Sequence, residues 1–321
     1  MKPTLSCWVV TDGRRGIENQ ALGLAEAMAR LHVVNIERKT LSSGSAFKIA
    51  QPGLQLVMKA KPKDYGFSEP FPDIVIGCGR QSIAPLRALK KKCGTNIFTV
   101  YIQDPRINTS HFDLVIAPTH DNLSGANVLS ILGSPNRVTN DRIIVDTLKF
   151  DKQLTTLKSP RIAVLIGGNS KSHTLDDASH ESHLATVNRA LEHGYSVMVT
   201  TSRRTPQFVS NAYHELASLN VRVWFDDGNG ENPFFAMLGA CDAILVTEDS
   251  TNMLTEACTT GKPVFTLPIK GKSGKFKQLY DELQERCHVS QANGNFKAPT
   301  YTPLNETQRA AQEILTRLNL P

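Results

Sequence analysis

Short apolar runs recur along this 321-residue chain, and most end in a polar or glycine-bearing turn that opens a helical stretch. This alternation constrains the fold more than any other feature. Strands separated by helices pair in parallel, with helices covering both faces of the sheet. In the first half the expected strands are Ser6 to Val10, Val33 to Ile36, Asp73 to Ile76, Ile97 to Ile102 and Leu114 to Ala117. Ile17 to Leu31 reads as a helix, with Ala21, Leu22, Leu24, Ala25 and Met28 at helical spacing. Ala46 to Met58 reads as partly helical, broken at Pro52-Gly53. The second half repeats the plan with strands Arg161 to Ile166, Ser196 to Thr200, Val221 to Phe225, Ala243 to Val246 and Val264 to Leu267.

The length is natural for two domains. The expected fold class is α/β: two Rossmann-like domains whose parallel sheets face each other across a cleft. The expected divisions are an N-terminal domain at 1–150, a C-terminal domain at 161–304 and a last helix at 305–321 that packs back across the junction. The polar stretch Asp151 to Pro160 reads as the linker. Apolar residues make up 40% of the chain and charged residues 21%, which is ordinary globular composition. No apolar run approaches the length of a membrane span or signal peptide. The six cysteines lie far apart without a C-x-x-C pair, so they read as reduced thiols of a cytoplasmic protein.

The formal net charge is +6, with residues 1–150 at +7 and residues 151–321 at −1. The excess gathers at Lys48, Lys59, Lys61, Lys63, Arg87 and Lys90 to Lys92. Such an asymmetry suggests an anionic partner for the first domain: a phosphorylated or lipid-linked acceptor, or peripheral contact with the anionic inner membrane. Nucleic acid is not expected, because the basic clusters lack interleaved aromatic residues.

The most informative motif is VTEDSTNMLTEACTTGKPVF, Val246 to Phe265. It reads as a strand end, a polar turn, a helix from Thr251 to Thr260 capped by Ser250, and a Gly261–Pro263 stop. The free N–H groups and positive dipole end of such a helix favour phosphate, and Thr247, Ser250 and Thr251 add hydroxyls. Glu248 and Glu256 fall on one side of the helix. A phosphate site beside a carboxylate that accepts from a ribose diol is the layout of a nucleotide site. The same pattern also fits an ordinary βαβ unit with a polar turn.

Other candidates follow strand ends. Asp12, before Gly13 and Gly16, is the first candidate for a base that takes a proton from an acceptor hydroxyl. Asp104, His120 and Asp121 are its rivals. Gly79-Arg80 reads as an anion contact. Thr205-Pro206 reads as the cap and first-turn proline of a helix. His180 and His183 lack a third ligand and read as surface residues, and no metal site is legible.

The segments TDGRRGIENQALGLAEA, PDIVIGCGRQSIAPLRAL, QDPR, APTHD, LIGGNSKSH and the Val246 motif together resemble a bacterial and plant family named after a plant mitochondrial-fission (elongated mitochondria) protein. Tandem Rossmann domains with a Glu, seven residues, Glu motif also resemble GT-B glycosyltransferases. This resemblance implies transfer of a sugar from a nucleotide-diphosphate donor, UDP-linked by expectation, without a further cofactor. Glu256 would hold the ribose hydroxyls, and Ser250 with Thr251 would cradle the diphosphate. Glu248 and Asp249 would approach the sugar. Gly167 and Gly168 would leave room for the donor. Arg203 or Arg204 would neutralise the departing diphosphate. Phe225 and the loop Asp226 to Glu231 would receive the base. Nucleotide-sugar epimerisation and a non-catalytic adaptor role are the alternatives.

Overall fold

The computed structural model describes residues 4–41, 61–272 and 274–320. The helical stretch expected at 46–58 lies outside them, as do Lys48 and Lys59. The chain divides into two compact units, Met1–Arg137 with Asn305–Pro321, and Val138–Leu304.

The first unit carries strands β1 (Leu5–Thr11), β2 (Val34–Thr40), β3 (Ile74–Cys78), β4 (Phe98–Ile102), β5 (Leu114–Pro118) and β6 (Val128–Ile131), all parallel, in the order β2-β1-β3-β4-β5-β6. Every residue of β3 and β5 is buried, which is why these runs are uniformly apolar and not alternating. Helix α1 (Arg15–Leu31) buries Ala21, Leu24, Ala25 and Met28 at helical spacing, and α2 (Ile83–Cys93) follows β3.

The second unit holds α3 (Asn140–Lys149), α4 (Asp151–Thr156), β7 (Arg161–Ile166), β8 (His173–Thr174), α5 (Asp177–Glu192), β9 (Ser196–Thr201), α6 (Gln207–Leu219) and β10 (Val223–Asp226). It continues through α7 (Phe234–Ala240), β11 (Ala243–Thr247), α8 (Thr251–Cys258), β12 (Val264–Leu267), β13 (Lys270–Gly271), α9 (Lys277–Cys287) and β14 (Ser290–Gln291). Its six-stranded parallel sheet runs β10-β9-β7-β11-β12-β14, and β8 pairs with β13 as a separate antiparallel ribbon. The last helix, α10 (Glu306–Arg317), returns to the first unit, where Ala310, Ala311 and Ile314 join the core containing Leu24 and Met28.

Three local differences from the sequence reading have physical causes. Asp151 to Pro160 is not an open linker. Its first six residues form α4, Leu154 and Leu157 are buried, and the Arg161 guanidinium donates to their carbonyls at 3.1 and 2.9 Å. Helix α3 belongs to the second unit, capped by Thr139, whose hydroxyl accepts from the Arg142 N–H at 3.2 Å. Thr205 does not cap α6. Its hydroxyl accepts from the Ser202 N–H at 2.9 Å and donates to the Gly167 carbonyl, joining two strand-end loops instead.

Candidate functional site

In the second unit the chain leaves β7 first to one side, through β9 and β10, and then to the other, through β11 and β12. The C-terminal ends of β7 and β11 therefore flank the point where strand order reverses, the place where open α/β sheets hold ligands. Two of the motifs singled out in the sequence lie there: Gly167-Gly168 after β7 and Glu248 to Thr251 after β11.

Asp249 ties this region together. Its side chain is fully buried. It accepts from the Thr247 hydroxyl at 2.7 Å, the Gly168 N–H at 2.9 Å and the Arg204 guanidinium at 2.7 Å. Arg204 also donates to the carbonyls of Gly168 and Asn169 at 3.3 and 3.1 Å. A Cβ at Gly167 would overlap the Asp249 carboxylate, and one at Gly168 the Arg204 backbone. The space at these glycines is filled by the protein itself. Asp249 and Arg204, expected against the sugar and the diphosphate, thus form a latch joining the loops after β7, β9 and β11. Arg203 is exposed, with no hydrogen bond or ion pair among the described residues.

Helix α8 begins directly after the latch. Ser250 occupies its N-cap position, but its hydroxyl makes no capping bond and the residue is only 9% exposed. The first-turn N–H groups have no partner within the helix. The helix is shorter than expected and ends at Cys258. Glu248 is held from two sides: its carboxylate accepts from the Thr266 hydroxyl at 3.2 Å, and its carbonyl from the Tyr280 hydroxyl at 2.5 Å. The Glu256 side chain has no hydrogen bond or ion pair among the described residues, and burial alone pushes its carboxyl up to about 8. The residue is half-buried, and near neutral pH its carboxyl is held largely in the protonated form. Phe225 packs against Tyr213 and His214 of α6, with ring centroids 6.5 and 6.3 Å away. In the following loop, Asp226 and Asp227 close turns by accepting from the N–H groups of Gly228 and Asn229 at 3.2 and 2.9 Å.

The first unit has its own reversal between β1 and β3, and it brings Asp12-Gly13 and Gly79-Arg80 together. Asp12 accepts from the Arg14 N–H at 3.1 Å and pairs with its guanidinium at 2.7 Å, an Asx turn closed by an ion pair. Gly13 takes φ +82°, which suits glycine. A Cβ at Gly79 would press on Ile17 of α1. Arg80 is exposed, and its side chain has no partner among the described residues. His120 is buried with its Nε2 3.9 Å from Asp121, and Asp104 accepts from the Arg106 N–H at 2.7 Å in another turn. The expected basic cluster on α2 is partly neutralised. Lys90 pairs with Asp113 at 2.7 Å and Lys92 lies 3.6 Å from Glu69. Among the described residues, no helix is long and apolar enough to cross a membrane.

Several residues of consequence were not legible as such. His180 and His183 are buried, not on the surface, at 6% and 0% exposure. His183 bonds the Pro268 carbonyl at 2.6 Å, and burial lowers the pKa of both rings. The Lys262 ammonium donates to the carbonyls of Leu238, Gly239 and Cys241 at 2.7, 2.6 and 2.7 Å, capping the C-terminus of α7. The Gly–Lys–Pro stop in the sequence marks the position but not this contact.

The chain is similar to proteins of known name. Mitochondrial fission protein ELM1 of Arabidopsis thaliana is 27% identical over 90% of this chain and 75% of that protein. The UDP-GlcNAc 2-epimerase of Methanocaldococcus jannaschii superposes with a TM-score of 0.59 at 13% identity, covering 99% of both chains. A glycotransferase of kitacinnamycin superposes with a TM-score of 0.51 at 13% identity, covering 97% of this chain and 91% of that one. The fold is GT-B-like, as the resemblance in the sequence implies. The description of the matching family model is mitochondrial fission ELM1, the match runs over residues 15–318, and the chain belongs to that family.

Proposed function

We propose that the second unit binds the diphosphate and ribose of a nucleotide sugar at the start of α8, and that the chain transfers the sugar to an acceptor held by the first unit. The observation that carries this reading is the coincidence, at a strand-order reversal, of an uncapped helix N-terminus and an unpartnered Glu256. The helix end and the Ser250 and Thr251 hydroxyls supply donors for a diphosphate. Glu256 supplies the acceptor for two ribose hydroxyls, and these would relieve its desolvation. Glu248, fixed by Thr266 and Tyr280, stands beside them for the sugar. Asp249 and Arg204 position the loops, and Arg203 is the remaining arginine for the leaving group. In the first unit, Arg80 is offered to an anionic acceptor. Asp12 takes the acceptor proton once Arg14 moves off it, with His120 as its rival.

UDP is the nucleotide to test first. Calorimetry at about pH 9, where the Glu256 carboxyl is ionised, should show saturable UDP binding, and Glu256→Ala should weaken it by about tenfold or more, the loss of a charge-assisted bond worth roughly 1.5–3 kcal/mol. Unchanged affinity in the variant removes Glu256 from the site. Incubation with a UDP sugar alone, then with candidate acceptors, separates the chemistry. Turnover without acceptor to an epimeric UDP sugar indicates epimerisation. Failure to bind any nucleotide leaves an adaptor role.

A further inference from the structure

The ribbon of β8 and β13 alternates its side chains. Lys270 pairs with Thr174 and Gly271 with His173, and the Lys272 N–H donates to the Ser172 carbonyl at 3.3 Å. Residues opposite one another in an antiparallel pair share a face, and successive residues change face. His173 is buried, so its face turns inward, and a Cβ on Gly271 would overlap the Ser172 carbonyl and the His173 ring. The other face presents Lys270, Lys272, Ser172 and Thr174, all exposed. The carboxylate paired with this face is Asp176, 3.3 Å from Lys270. Lys272 and Thr174 have no side-chain partner among the described residues.

The frame under these lysines is fixed from both strands. The His183 ring bonds the Pro268 carbonyl at 2.6 Å, just before β13. The Lys270 N–H donates to the Ser179 hydroxyl at 3.2 Å. The Ser170 hydroxyl accepts from the N–H groups of Ser172 and His173 at 3.3 and 3.1 Å. Strand β12 runs directly into the ribbon, and the Leu267 carbonyl accepts from the Glu248 N–H at 3.1 Å. The ribbon therefore follows directly from the strand end that bonds the turn into α8. Asp176 offsets the charge of Lys270, and the Ser172 hydroxyl lies 3.0 Å from the His173 ring, so Lys272 and the Thr174 hydroxyl are the unengaged donors on this face, with Lys270 and Ser172 beside them to share a phosphoryl oxygen.

We propose that the outer face of this ribbon, through Lys270, Lys272, Ser172 and Thr174, binds the phosphoryl groups of a nucleoside diphosphate. The nucleoside part of this ligand rests on the function proposed above; the phosphoryl contact does not.

The test uses the full chain, with inorganic pyrophosphate, UDP, uridine and anionic phosphatidylserine vesicles as probes. Lys272→Ala alone removes an exposed, unpaired group and leaves the frame intact; Lys270→Ala with Lys272→Ala removes both ammoniums. Pyrophosphate and UDP should each bind about tenfold more weakly to the double variant, with a smaller loss for Lys272→Ala and no change for uridine. Glu256→Ala should leave pyrophosphate binding unchanged. Lysine-dependent pyrophosphate binding without UDP binding supports the ribbon site while refuting the nucleotide reading. UDP binding that is lost in Glu256→Ala but undiminished in the double variant overturns the ribbon site and spares the nucleotide reading. Pyrophosphate binding that is absent, or equal in wild type and both variants, also overturns it. So does lysine-dependent sedimentation with the vesicles in the absence of pyrophosphate binding, which would make the face a lipid contact.

Discussion

Replacing Asp249 with Ala should cost stability before it costs anything else. The substitution removes one buried acceptor and strands the Thr247 hydroxyl and the Gly168 N–H, both in buried residues. Each stranded buried donor costs about 1–3 kcal/mol. The Arg204 guanidinium, 42% exposed, turns to water and adds at most about 1 kcal/mol. Relaxation of the loops offsets part of this, so the expected loss is about 3 kcal/mol. Asp249→Asn keeps one acceptor oxygen and should lose roughly half as much. Arg204→Ala, which leaves Asp249 two of its donors, should lose about 1 kcal/mol. Urea unfolding of the full chain at pH 7, followed by circular dichroism, measures all three against wild type. The latch is refuted if Asp249→Ala unfolds within about 0.5 kcal/mol of wild type, the range of an ordinary surface substitution. Weakened UDP binding in such a stable variant would return Asp249 to the ligand.

Two further outcomes follow from buried polar groups. Lys262→Met keeps the aliphatic stem but leaves three carbonyls at the end of α7 without their donor, and should lower stability by about 2–3 kcal/mol in thermal unfolding. An unchanged melting temperature would mean that water replaces the ammonium. His183, facing the Pro268 carbonyl, His180 and Asp249, has its pKa lowered by burial. Its contribution is therefore fully present above the ordinary histidine value near 6.5 and is lost as pH falls through that value toward the lower folded one. Stability should decline below about pH 6.5, and His183→Gln should flatten that decline; parallel pH profiles for the two proteins would contradict it.

What could be read from the sequence follows from how local each cause is. Strands such as β7 and β11 were legible because burial on both faces makes the whole run apolar, Ile162 to Ile166 and Ala243 to Val246. The position of Ser250 ahead of α8 was legible because a helix start is signalled within a few residues. The strand order that brings Gly167 and Glu248 together was not, since parallel neighbours are chosen by packing over long separations. Asp249 resembled a ligand group because its partner Arg204 lies 45 residues away, beyond any local pattern. His180 and His183 resembled surface residues because polar spacing on a helix normally marks solvent. Here the His180 ring packs against Phe208 and Tyr213 of α6 instead, with centroids 5.5 and 5.7 Å away. Asp151 to Pro160 looked like a linker because only Leu154 and Leu157 anchor it.

A crystal structure of the full chain grown with UDP would locate the nucleotide directly. The ribose hydroxyls should lie within hydrogen-bond distance of the Glu256 carboxylate and the diphosphate at the first turn of α8, with the Asp249–Arg204 pair still closed. UDP bound at the first unit's reversal beside Arg80, or in the second unit away from Glu256, would contradict it.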